Sequence, residues 1–185
     1  RGDATGENMI ERYCTGNFLA GQGLIYASAS GLPVGRYVFK AVAQKGADGG
    51  VIELFANDDR SPVTSVKVLR ETEVATDVLD QDLTVGVESG LNNACQWVSF
   101  ADVALEYQSP YMLLEEAVAA SDTLTYGEDK GGALKKAADE ARVLLVSGEA
   151  RERMAAYHAL LDAMEQYRFD NASVAHPVDL TVRIQ

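Results

Sequence analysis

The sequence predicts an antiparallel β-sandwich followed by an antiparallel three-helix bundle and a closing strand. Two observations carry that expectation. Residues 1–108 hold short runs of β-branched and aromatic residues, parted by turn residues at roughly 8–12-residue spacing, the pattern of a sandwich or barrel. From Ser109-Pro110 onward the apolar period becomes helical. A chain of 185 residues has room for one large or two small domains, and the change of period decides for two: a sandwich over 1–108 and a bundle over 109–169. Residues 170–185 remain as a linker and a strand.

The strands follow in order. Met9 to Cys14 leads into Gly23 to Ala29, and a turn at Gly31-Leu32-Pro33-Val34-Gly35 feeds Arg36 to Val42. A loop of small and polar residues from Gly46 to Gly50 precedes Val51 to Ala56. Asn57-Asp58-Asp59 reads as a turn, with the strand pattern resuming from Val63 to Leu69. Val74 to Leu79, Leu83 to Val87 and Trp97 to Tyr107 complete the series.

In the second half Ser109 is placed to cap a helix with Pro110 at its first position, where a missing N–H costs nothing. Glu115 and Glu116 fall in its early turns, where the helix dipole favours negative charge. Leu113, Leu114, Ala117 and Val118 form the apolar stripe. A second helix spans about Lys130 to Leu145, and Ser147-Gly148 ends it. A third carries Met154, Tyr157, Leu161 and Met164 as a buried seam. Short loops between amphipathic helices make an antiparallel bundle the expected packing. Val178 to Ile184 alternates like a strand, which needs a partner to be stable. That partner is either the sandwich or a following repeat.

Sixteen Lys and Arg against twenty-eight Asp and Glu give a net charge of −12, shared by both halves. Such a balance excludes a nucleic-acid binder, which needs a basic footprint, and docking on an anionic membrane. No apolar run reaches the roughly 18–20 residues that insertion into a bilayer requires. Cys14 and Cys95 match no zinc or redox spacing. They form either one long-range disulfide or two buried small hydrophobes.

Three ordered motifs carry a family resemblance. Ala29-Ser30-Gly31-Leu32-Pro33-Val34-Gly35-Arg36-Tyr37, Leu83-Thr84-Val85-Gly86-Val87-Glu88-Ser89, and Asn92-Asn93-Ala94-Cys95-Gln96-Trp97-Val98-Ser99-Phe100-Ala101-Asp102-Val103-Ala104-Leu105 resemble the turn and strands of galactose-binding-like β-sandwich modules. Such modules are jelly rolls found in secreted bacterial proteins that handle glycans. The resemblance implies a non-catalytic carbohydrate-binding or accessory module of a secreted or cell-surface bacterial protein. Its partners would be a glycan or neighbouring domains of a larger polypeptide. The alternative is a structural or adhesive module with no glycan ligand. The pattern's opening strand is missing at the start of this chain and finds its likeness in Pro177 to Gln185. The helical half resembles FIVAR modules, through Ala133 to Leu144 and Leu160-Leu161-Asp162-Ala163-Met164, and such modules serve as spacers or contacts between domains.

No catalytic constellation emerges from the residues. His158 sits beside an apolar seam and His176 in a Pro-flanked tail, so a nucleophile–His–carboxylate set has no natural place. Asp58-Asp59 reads as turn chemistry rather than an acid/base pair. A glycan site needs aromatic faces beside fixed polar groups. Trp97 is the sole indole, and its strand position makes core packing the first expectation and sugar stacking the second. Tyr13, Tyr26, Asn92 and Asn93 are the further ligand candidates, since they fall near strand ends or loops. Asp102 resembles a position that holds a structural cation in some sandwich modules. Calcium is therefore the one ion the resemblance admits, although it wants six to eight oxygens.

Overall fold

The computed structural model describes residues 9–46, 50–80, 82–90, 95–124 and 132–175. Two compact units divide between Gln108 and Ser109. The first is an eight-stranded antiparallel sandwich and the second a set of three helices, the architecture that the change of period predicts.

The strands are β1 (Ile10–Tyr13), β2 (Gly23–Ala29), β3 (Gly35–Lys45), β4 (Ile52–Ala56), β5 (Asp59–Pro62), β6 (Arg70–Val78), β7 (Leu83–Ser89) and β8 (Trp97–Gln108). One sheet has the order β1-β8-β3-β6 and the other β2-β7-β4-β5. Side chains alternate between the two faces of a strand, and the inward set forms the core. From the first sheet it takes Tyr37, Phe39, Ala41 and Ala43 of β3, Val74 and Val78 of β6, and Val98 and Phe100 of β8. Ile52, Leu54, Ala56, Leu83 and Val87 meet them from the second sheet.

The fifth strand differs from the sequence expectation. It lies at Asp59–Pro62, directly after the turn residues Asn57 and Asp58, while Val63 to Leu69 forms no strand beyond a lone bridge from Val66 to Lys45. Asn57 adopts a left-handed φ of 49°, which Asn tolerates better than most residues. Its side-chain oxygen accepts from Thr84 N–H at 2.8 Å and ties the turn to β7. Being an edge strand, β5 is mostly exposed and carries polar residues and a proline, so it has no apolar alternation to announce it.

The helices are α1 (Pro110–Asp122), α2 (Ala133–Ser147) and α3 (Ala150–Ala175). Ser109 caps α1 as expected, its hydroxyl accepting from Met112 N–H at 3.2 Å with Pro110 behind it. Glu115 and Glu116 lie beyond the first turn, which holds no acid. On α3 the buried residue between Tyr157 and Met164 is Leu160, fully covered, while Leu161 is over a third exposed. The seam therefore runs at +3, +3, +4 rather than through Leu161. The helix also continues through Ala175, past the boundary expected at residue 169. The expected strand at 178–184 lies outside the described residues. Among the described residues, no helix is long and apolar enough to cross a membrane.

Arg153 closes the α2–α3 corner. The last turn of a helix leaves carbonyls without helical partners. Here Gly148 N–H reaches Leu144 O at 2.9 Å, and the Arg153 guanidinium donates to Leu144 O at 3.0 Å and Leu145 O at 3.3 Å. The same guanidinium stands 5.6 Å from the Tyr111 ring centroid, joining all three helices. Charged hydrogen bonds contribute roughly 1.5–3 kcal/mol each at most. Arg153→Leu is expected to cost the helical unit about 2 kcal/mol, read as a lower urea midpoint at constant slope. An unchanged midpoint would show that water replaces the guanidinium without loss.

Candidate functional site

Strand register brings two of the expected ligand residues together. β1 pairs antiparallel with β8 so that Tyr13 faces Trp97 directly. Directly opposed residues share one face of a sheet. Val98 and Phe100 point into the core, so Trp97 and Tyr13 point to the outer face. Tyr13 is 64% exposed and Trp97 half-buried. Trp97 stands outside the core cluster, which corrects the expectation that core packing claims it.

Gly46, just past β3, completes the row. A Cβ at Gly46 would lie 3.2 and 3.3 Å from Trp97 Cε3 and Cβ, so the indole rests against bare backbone. Gly46 N–H donates to Trp97 O at 2.9 Å, and Cys95 Sγ–H donates to the same oxygen at 2.9 Å. Beside the glycine, Lys45 Nζ donates to Gly50 O at 2.5 Å, which ties the two ends of that loop. The indole thus sits on a position held from both sides. Glu11 shares the Tyr13 face of β1 and pairs with Ser99; it is exposed and supplies a hydrogen-bond acceptor one step along the strip. Gln44 Nε2 donates to Ser99 Oγ at 3.0 Å on the neighbouring strand pair.

Farther along this outer face the charges are already paired. Arg36 Nε meets Asp77 at 2.9 Å, and Lys40 Nζ lies 2.8 Å from Glu106 and 3.7 Å from Glu73. The hydrogen bond to Glu106 chiefly raises the Lys40 pKa above its ordinary value, against the opposing effect of desolvation. That half of the face is a closed ionic lattice, whereas the Tyr13–Trp97 end presents aromatic surface.

Tyr26 does not join them. It pairs with Gly86 on β7, and Gly86 with Phe55 on β4, on the outer face of the other sheet. Arg60 lies opposite Phe55, its guanidinium 5.1 Å from the ring centroid and bonded to Glu88. The two aromatic groups therefore look away from opposite sides of the sandwich. Asn92 and Asn93 lie outside the described residues. Asp102 is exposed, with a left-handed φ of 49° at an irregularity in the β3–β8 register. Asp is among the residues that adopt this conformation most readily, so a backbone role explains it. Among the described residues, no group of three or more His, Cys, Asp or Glu could hold a metal ion.

Sequence reasoning did not find Gly46, Phe55, Arg60 or Glu11. Their relation to the aromatic residues is set by cross-strand register, and no local motif marks them.

No family model matches the chain, and no curated protein does. Among solved structures it is similar to the C-terminal domain of EclA, a sugar-binding protein, at 10% identity and a TM-score of 0.43, covering 56% of this chain and 81% of that one. A provisionally assigned sugar-binding protein from Bacteroides thetaiotaomicron VPI-5482 matches at 13% identity and a TM-score of 0.40, over 58% of this chain and 79% of the other. TmCBM61, solved with β-1,4-galactotriose, matches at 18% identity and a TM-score of 0.36, over 58% and 86%.

Proposed function

We propose that the sandwich is a non-catalytic carbohydrate-binding module of a secreted or cell-surface bacterial protein, and that Tyr13 and Trp97 form its ligand strip. The reading rests on one observation above others: the directly opposed pair of aromatic residues, one well exposed and one braced on Gly46. A sugar ring has an apolar C–H face that packs on an aromatic ring and a rim of hydroxyls that needs fixed partners. The Tyr13 and Trp97 rings supply the first, and Glu11 with its neighbours the second. The three motifs over residues 29–105 support the same reading. The helical unit then acts as a spacer or contact between domains.

A second reading is a structural or adhesive module. It is favoured by Val103, Leu105 and Tyr107 of β8, each close to half exposed. They lie beyond the four β8 residues that pair with β1. Exposed apolar strand edges recruit other strands.

A glycan array run on the purified chain, with calcium and with chelator, separates the two. The binding reading predicts defined glycan hits that persist in chelator. A blank array, together with concentration-dependent assembly in sedimentation, would establish the adhesive reading in its place.

A further inference from the structure

We propose that the free edge of β8 takes the Val178–Ile184 segment of a second copy of this chain as an added strand. β1 pairs only with Trp97 to Phe100. From Ala101 to Gln108 that side of β8 has no strand partner among the described residues. Its backbone N–H and C=O groups are a template for another strand.

The side chains there mark the place of a strand. Leu105 opposes Phe39 and Tyr107 opposes Tyr37, and both of those β3 residues lie in the core. Directly opposed residues share a face, so Leu105 and Tyr107 belong to the inner face of their sheet, yet both are exposed. The second sheet repeats the pattern. Ile25, Ala27 and Ala29 oppose Val87, Val85 and Leu83 on its inner face, and all three are exposed. β6 packs against β4 and β5, so β8 and β2 lie together on the other side of the sandwich. Apolar inner surface is open to water along that side. Residues 1–8 bring only Ala4 as an apolar side chain and supply no row to cover it.

The segment has the pattern the edge requires. Val178, Leu180, Val182 and Ile184 alternate with Asp179, Thr181 and Arg183, one face apolar for the core and the other polar for solvent. Pro177 stands just before it, where a strand needs no N–H. Every strand pair of the sandwich is antiparallel, and antiparallel addition sets Val178 beside Gln108. Within one chain that place is out of reach. Ser109 follows Gln108 directly, and α3 starts beside this joint, because Arg153 stands against Tyr111. From Arg153 to Ala175 the helix carries the chain about 33 Å, and Val178 is at most about 10 Å farther on. A strand turned straight back would still stop roughly 20 Å short of Gln108. A second copy meets no such limit. Each copy then offers one donor segment and one acceptor edge, a head-to-tail contact that builds chains or rings.

This contact gives the adhesive reading its partner and leaves the Tyr13–Trp97 strip on an outer face, so glycan binding and assembly are read separately. In sedimentation velocity the full chain should rise with concentration to at least twice the monomer mass. Leu105→Lys spoils the acceptor edge at an already exposed position, and Val182→Asp spoils the donor. Each variant should stay monomeric alone, and an equimolar mixture should form a dimer, because the intact segment of the first fits the intact edge of the second. A full chain that stays monomeric at its highest soluble concentration would overturn the proposal. So would assembly that survives in either variant alone, or a mixture that remains monomeric.

Discussion

Replacing Gly86 by valine is expected to lower the melting temperature of the sandwich by roughly 15 °C or more, the size of shift that about 3 kcal/mol produces in a domain of this length. The cause is backbone geometry. A Cβ at Gly86 would stand 2.3 Å from Ile25 O, 2.8 Å from Tyr26 Cα and 2.8 Å from Phe55 Cε1. Two of these three atoms belong to the backbone of β2, which no rotamer change can move aside. β2 also carries a register irregularity between Gly23 and Ile25 at this point. Any side chain at 86 therefore separates β2 from β7, and the larger branches of valine add a clash with Phe55. Gly16→Ala is the matched control, because nothing lies within 4 Å of its Cβ. That change should be neutral or stabilise by up to about 1 kcal/mol, by restricting the unfolded chain. Equal melting temperatures for the two variants would refute the strand spacing described for β2 and β7.

Leu54→Ala is the second change with a large effect. Leu54 has no exposed surface and lies in the middle of β4, paired with Val87 of β7 on one side and Ser61 of β5 on the other. Truncating such a residue removes buried apolar atoms and leaves a cavity that the two sheets only partly close. The cost is about 2–5 kcal/mol, visible as a lower denaturant midpoint. A loss under about 1 kcal/mol would mean that the core around β4 collapses freely. Tyr13→Ala makes the useful contrast. The Tyr13 side chain is 64% exposed, so its truncation should shift stability by no more than about 0.5 kcal/mol. A loss of binding on Tyr13→Ala would thus be separable from the loss of folding expected on Leu54→Ala.

These contrasts show what the residues announce and what they conceal. β3 is legible because Tyr37, Phe39, Ala41 and Ala43 alternate with Arg36, Lys40 and Gln44, and each inward residue is apolar. β5 is not, because an edge strand held by Arg60 hydrogen bonds and a two-residue turn needs no apolar face. The α1 cap is legible because Ser109-Pro110 acts through its own backbone. The end of α3 is hidden, since Asn171-Ala172-Ser173 carries no apolar stripe. Asn171 Nδ2 instead donates to Tyr167 O at 2.8 Å, one turn back. For the candidate site, residue types suggested Tyr13, Trp97 and Tyr26 alike. Only the pairing of strands far apart in sequence decides that the first two share a face and that Tyr26 lies on the other sheet.

Trp97 is the sole tryptophan, so its emission reports on the proposed strip without interference from another indole. The most direct test titrates the strongest glycan from the array into the chain while following that emission, and repeats the titration with Tyr13→Ala. If Tyr13 and Trp97 form the ligand strip, Trp97 emission changes saturably and the variant binds at least about tenfold more weakly, a loss of about 1.4 kcal/mol. Glycan binding that is saturable by calorimetry, leaves Trp97 emission unchanged and survives Tyr13→Ala would contradict it.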